Sequence, residues 1–134
     1  MKRVVVDASA LAAVVFHEQG FEAVSRRLDG AATFAPGLLK FELASVAWKK
    51  ARRQPDDAVK ILTGLAIGLD DRCGIIWRDI NAADVVLVAR ATGLTVYDAS
   101  YLWLAGSLGA DLVTLDTRLA RATGGLGDDI ARGV

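Results

Sequence analysis

Val4-Val5-Val6-Asp7-Ala8-Ser9-Ala10-Leu11 is the stretch on which the fold turns. Three β-branched residues in succession read as a short strand buried on both faces, as strands inside parallel sheets are. Asp7 ends that run, and Leu11, Val14, Val15 and the flanking alanines then read as a helix that ends before Gly20. The same order of parts returns late in the chain. Asp111-Leu112-Val113-Thr114-Leu115 reads as a strand, Asp116 follows it, and Thr117 to Ala122 make a short helix.

Working outward, a second helix from Phe21 places Phe21, Val24 and Leu28 at helical spacing and stops at Gly30. Thr33-Phe34-Ala35 is a short strand closed by Pro36-Gly37. Leu39, Leu43 and Val46, widened by Phe41, Ala44 and Trp48, form the apolar stripe of a helix reaching about Arg53. Pro55 suits the first turn of the next helix, where its missing amide hydrogen costs nothing, and Ile61, Leu62, Leu65 and Leu69 supply its apolar face. Gly74-Ile75-Ile76-Trp77 is a third strand. Asn81 with Asp84 is a helix start and Gly93 the matching stop; a further helix starts at Asp98 and stops near Gly109.

Short apolar strands alternating with helices predict an α/β fold: a three-layer α/β/α domain around a parallel sheet of four or five strands. The glycine-rich tail after Gly124 leaves room for a short edge strand. There is no linker, repeat or low-complexity segment, and the 134 residues are read as one domain, 1–134.

Composition narrows the class of protein. Hydrophobic residues make up 53% of the chain, yet no apolar run approaches the ~18–20 residues that span a bilayer. The charged start at Lys2-Arg3 looks like a signal peptide, but Asp7 interrupts the apolar run at once, so no targeting segment and no membrane partner is expected. The single cysteine, Cys73, excludes an internal disulfide and fits a reducing cytoplasm; it is expected to serve packing. Sixteen basic residues balance sixteen acidic ones, which argues against nucleic-acid binding by bulk charge. Gathering four acids into one site would leave the rest of the surface net positive. Basic residues also cluster at Arg26-Arg27 and over Lys49–Arg53, where the ordinary reading is a solvated helix end near a C-terminal dipole.

In open parallel sheets, ligands bind at the carboxyl ends of the strands. Asp7 and Asp116 each follow a strand and precede a helix, Asp98 begins a helix, and Glu42 sits in the first turns of one. Singly, each aspartate reads equally well as an N-cap, and Glu42 as a solvated acid. Together, four carboxylates suit a hard divalent cation; without one they would repel each other and raise their own pKa values. No other catalyst competes. His17 is the only histidine and is assigned a structural or surface role, and no Walker, zinc or GxGxxG motif occurs.

These acids, in this order and setting, resemble the PIN domain, and within it the VapC toxins of bacterial toxin–antitoxin pairs. The matching stretches are Val4 to Leu11, Phe34-Ala35-Pro36 through Phe41-Glu42-Leu43-Ala44, Tyr97-Asp98-Ala99-Ser100-Tyr101-Leu102, and Leu112 through Leu119. The resemblance implies an endoribonuclease dependent on Mg²⁺ or Mn²⁺, with Asp7, Glu42, Asp98 and Asp116 as metal ligands. A metal-bound water would attack phosphorus in line, leaving a 5′-phosphate and a 3′-hydroxyl. Ser9 looks like the family's hydroxyl that bonds an active-site acid or metal water, and Thr114 like the position that orients the fourth acid. The plain alternatives are a capping serine and an ordinary strand residue. The resemblance also implies an RNA substrate, a cognate antitoxin laid across the helices around Phe41–Arg53 and Pro55–Asp70, and a homodimer. Trp48 is read as either interface or core; Tyr101 and Trp103 as core or dimer contacts. The sequence departs from the family in its short, glycine-rich tail, and no further acid follows closely on Asp116, so one metal is expected.

Two rivals stand beside this reading. A small α/β phosphohydrolase with Asp7 as phosphoryl acceptor would want a second acid where Ser9 stands and a late lysine, but none follows Lys60. A non-catalytic PIN-like binding module would not be expected to keep all four acids.

Overall fold

The computed structural model describes residues 1–123. The elements run β1 (Arg3–Val6), α1 (Ala8–Val15), α2 (Phe21–Leu28), β2 (Ala32–Pro36), α3 (Leu38–Arg53), α4 (Ala58–Gly68), β3 (Ile75–Arg78), α5 (Ala82–Thr92), α6 (Val96–Leu108), β4 (Asp111–Val113) and α7 (Thr117–Ala122). The four strands form one all-parallel sheet in the order β3-β2-β1-β4. The expected α/β architecture is the observed one. The edge strand expected after Gly124 lies outside the described residues.

β1 is central, between β2 and β4, and Val4, Val5 and Val6 are all fully buried. Helices therefore cover both faces, because a strand with no polar side has no face to give to water. Leu39 and Leu43 of α3, Val24 of α2, Val85 of α5, Leu104 of α6 and Leu119 of α7 close over the sheet in a single core. Each such side chain, moved from water into the core, contributes roughly 1.5–3 kcal/mol.

Three boundaries differ from the expected ones, each for a local reason. Pro55 does not open α4 but a 3-10 turn at Pro55–Asp57, and α4 proper begins at Ala58. The α6 helix begins at Val96 because Thr95, not Asp98, is its N-cap: the Thr95 hydroxyl accepts from the Asp98 amide at 3.1 Å. β4 ends at Val113, two residues short of Leu115, because Thr114 turns from strand pairing to side-chain bonding at the sheet's edge. Asn81 and Gly93 delimit α5 as expected, with Asn81 Oδ1 accepting from Asp84 N and Gly93 at φ +77°.

Register is the feature that builds the site. Val6 pairs with Val113 across β1 and β4. The next residue on each strand is Asp7 and Thr114, so these two arrive side by side where the central strands end. Gly20, at φ +94°, turns the chain into α2 beneath Leu115; a Cβ there would stand 2.8 Å from Leu115 Cδ1. A groove of about 790 Å³ opens beside the amino end of β4, lined by residues such as Leu87, Trp103 and Leu112, and it contains none of the four acids.

Candidate active site

Asp7 ends β1 and caps α1. It is 5% exposed, and both of its oxygens are occupied. Oδ1 accepts from the Ser9 hydroxyl at 2.8 Å and from the Ala10 amide at 2.9 Å; Oδ2 accepts from the Thr114 hydroxyl at 2.5 Å. The two hydroxyls lie 3.3 Å apart. Each also fixes backbone on the β4 side: Ser9 Oγ accepts from Leu115 N at 3.0 Å, and Thr114 Oγ1 from Asp116 N at 3.0 Å. Thr114 therefore donates its proton to the first acid rather than the fourth, and reaches Asp116 only through that residue's amide. Ser9 bonds an acid, and the capping role belongs to Asp7.

Asp116 follows β4 and caps α7, with Oδ1 accepting from Arg118 N at 2.8 Å and Leu119 N at 3.3 Å. Glu42, on α3, is half-buried rather than solvated, and its Oε1 accepts from the Tyr101 hydroxyl. Asp98 sits in the first turn of α6, three residues before Tyr101 on the same helix face. Tyr101 is core, as the sequence allows, but its phenol oxygen belongs to the acid cluster. The available signal was that three-residue spacing from Asp98.

Electrostatics tie the four acids together. Burial raises the Asp7 pKa above its ordinary value; the bonds from Thr114, Ala10 and Ser9 pull it back, and the nearby Asp116 charge adds to the rise. Burial also raises Glu42, against the Tyr101 hydrogen bond and reinforced by Asp98 and Asp7. Asp98 is raised by burial and by Asp116, while the Thr95 bond and the Arg118 charge oppose the rise. The Tyr101 phenol is pushed far up, by burial first and then by its bond to Glu42, so it is a permanent donor. Like charge is felt from one acid to the next around a ring: Asp7 and Asp116, Asp116 and Asp98, Asp98 and Glu42, Glu42 and Asp7. Among the described residues, however, no three acidic, histidine or cysteine side chains draw close enough to enclose a metal ion unaided.

Other sequence expectations meet mixed outcomes. Cys73 is exposed in a 3-10 turn none of whose residues is buried, so it does not serve packing. Trp48 is 60% exposed and lies outside the core, with Arg52 over its ring at 5.5 Å. Trp103 packs against the core from its rim. Within the Lys49–Arg53 run, Lys50 is paired with Glu18 at 2.5 Å. His17 stacks on Phe21 with ring centres 4.2 Å apart, a structural contact. No described helix is long and apolar enough to cross a membrane.

The chain is similar to known proteins in sequence and in fold. The PIN-domain family model matches residues 4–125. Ribonuclease VapC3 of Pyrobaculum aerophilum is 34% identical over 127 residues, covering 88% of this chain and 92% of that protein. The crystal structure of PAE2754 from Pyrobaculum aerophilum superposes with a TM-score of 0.73 at 31% identity, covering 92% of this chain and 88% of that one. Fold alone is shared with VapC20 of Mycobacterium tuberculosis, a toxin that cleaves the sarcin-ricin loop. Its TM-score is 0.64 at 15% identity, over 89% of this chain and 94% of that one. The match over nearly the whole chain, together with acids gathered at the carboxyl edge of a parallel sheet, places this protein in the PIN-domain family, among its VapC-type members.

Proposed function

We propose that the chain is a Mg²⁺- or Mn²⁺-dependent endoribonuclease acting as the toxin of a toxin–antitoxin pair. The observation that carries this reading is the gathering of Asp7, Glu42, Asp98 and Asp116 into one cluster, where burial first and neighbouring carboxylates second raise Asp7, Glu42 and Asp98. A protein that holds carboxylates against their mutual repulsion supplies a place for a cation. The donor set is all oxygen and anionic, which fits Mg²⁺ or Mn²⁺. The looseness of the ring fits an ion that keeps several waters and takes only one or two carboxylates directly. Asp7, Glu42, Asp98 and Asp116 would hold it. When bound, such an ion lowers the pKa of water and offsets charge on a phosphodiester.

The chain's own residues do the positioning. Ser9 and Thr114 fix both oxygens of Asp7, and the amides of Arg118 and Leu119 fix Asp116. Arg118, whose charge is felt by Asp98, is a cation at the rim where an RNA phosphate would enter. A phosphoryl-acceptor role for Asp7 lacks its second acid: the position two residues on is Ser9, whose hydroxyl donates to Asp7 Oδ1.

For partners, an antitoxin segment is supported by exposed apolar residues flanking Glu42. Phe41 is 79% exposed, and Trp48 lies seven residues on along the same face of α3; Val59 and Leu62 of α4 are exposed as well. A toxin–antitoxin assembly, VapBC2 of Rickettsia felis bound to a DNA fragment from its promoter, shares the fold at TM-score 0.61 and 14% identity, over 90% of this chain and 92% of that one. Exposed Val86 and Leu87 on α5 supply an apolar surface for a homodimer.

The deciding experiment compares wild type with Asp7→Asn on single-stranded RNA, with Mg²⁺, Mn²⁺ or EDTA. Cleavage by wild type that needs the metal, and a loss of at least about 100-fold in the variant, are expected. Equal activity in both proteins, or none in either with Mn²⁺ supplied, sinks the reading.

A further inference from the structure

We propose that Tyr101 is a positioning residue of this site, acting through Glu42 to fix the carboxylate that takes the cation; this rests on the metal-dependent reading above. Tyr101 is 1% exposed, so its ring is held by the core on all sides and its hydroxyl cannot swing. That hydroxyl donates to Glu42 Oε1 across 59 residues of sequence, tying α6 to α3. No other hydrogen bond to Glu42 is found among the described residues, so one donor sets the orientation of the carboxylate and leaves Oε2 to face a ligand.

Packing does not account for the hydroxyl. A phenylalanine would bury the same ring, and a buried phenol costs stability unless it finds a partner. Here the partner is an acid of the site rather than a backbone carbonyl of the core. The arrangement is also economical in geometry. Asp98 and Tyr101 are three residues apart on α6, so one helix face supplies an acid of the ring and the clamp on its neighbour, Glu42. Carboxylates that hold metals are themselves held by outer hydrogen bonds, and losing such a bond typically weakens metal binding about 10–100-fold.

The test reads Mn²⁺ binding without RNA, by electron paramagnetic resonance of the free ion, up to millimolar Mn²⁺. Four proteins are compared: wild type, Tyr101→Phe, Glu42→Ala and the double variant, each checked for folding by thermal melting. Tyr101→Phe should weaken Mn²⁺ binding about tenfold in the wild-type background and less than twofold in the Glu42→Ala background. The same factor in both backgrounds means that Tyr101 acts by general packing, and overturns the proposal. So does unchanged affinity in Tyr101→Phe. Wild type that binds no Mn²⁺ overturns the metal reading itself and this inference with it, which separates the two failures.

Discussion

At the start of α1, Asp7 Oδ1 accepts from the amide of Ala10 at 2.9 Å; at the start of α5, Asn81 Oδ1 accepts from the amide of Asp84 at 3.1 Å. As helix caps the two are equivalent, each satisfying an amide that the helix leaves orphaned. Their surroundings differ. Asn81 is exposed and makes that one bond, whereas Asp7 is buried, takes two further hydroxyl protons, and feels the charge of Asp116. Local capping chemistry is therefore no guide to function. The distinguishing mark is convergence from a second strand.

That comparison is sharpened first by Asp7→Asn, which keeps a capping oxygen for Ala10, removes the charge and turns the Oδ2 acceptor into a donor facing Thr114. It should fold normally while losing at least about 100-fold in RNA cleavage, a dissociation read by running melts and cleavage assays on one preparation. Loss of folding instead would make the bonds of Asp7 to Ser9 and Thr114 a structural tie between β1 and β4 rather than part of a reacting site. Next, Thr114→Val keeps the shape of the side chain but removes the proton given to Asp7 Oδ2. About 10–100-fold lower metal affinity is expected, read as a rightward shift in the Mn²⁺ dependence of cleavage.

The third concerns pH. Asp7 is raised above 3.8 in the folded chain, so across the window from 3.8 up to its raised value the folded state binds more protons than the unfolded one. Its contribution to stability is present below that window and lost as pH rises through it. Metal-free Asp7→Asn should therefore gain in Tm over wild type as pH is raised from about 4 to neutrality, and added Mn²⁺ should close the gap. A Tm difference that is flat with pH would mean that Asp7 is not strained by burial. Smallest is Asn81→Ala, which should cost about 1 kcal/mol by thermal or urea unfolding and leave cleavage unchanged. A cleavage defect there would blur the contrast between the two caps.

Much of this was legible in the chain. The Val4–Val6 run announces a strand buried on both faces, and Asn81 and Gly93 mark the limits of α5 where the structure has them. The four acids stand out because each interrupts or follows an apolar segment. What the sequence could not supply is register. Nothing in Val113-Thr114 says that Thr114 will lie beside Asp7, because that depends on Val6 pairing with Val113 across the whole domain. Tyr101 was hidden for the same reason: its apolar neighbours announce core, and only the packing of α6 on the sheet beside α3 reveals where its oxygen ends up. Thr95 and Asp98 are both good capping residues, and the choice between them turns on one turn of backbone.

The bond between Thr114 and Asp7 joins residues 107 positions apart. A contact so distant in sequence forms late, after the loops between its partners have been closed. A ribosome delivers Asp7 more than a hundred residues ahead of Thr114 and Asp116. Until β4 has been made and inserted beside β1, the growing polypeptide carries Asp7 without its Thr114 bond and without Asp116 beside it. Strand order thus sets timing as well as place: the acid cluster is completed only when the last strand of the described sheet joins the first.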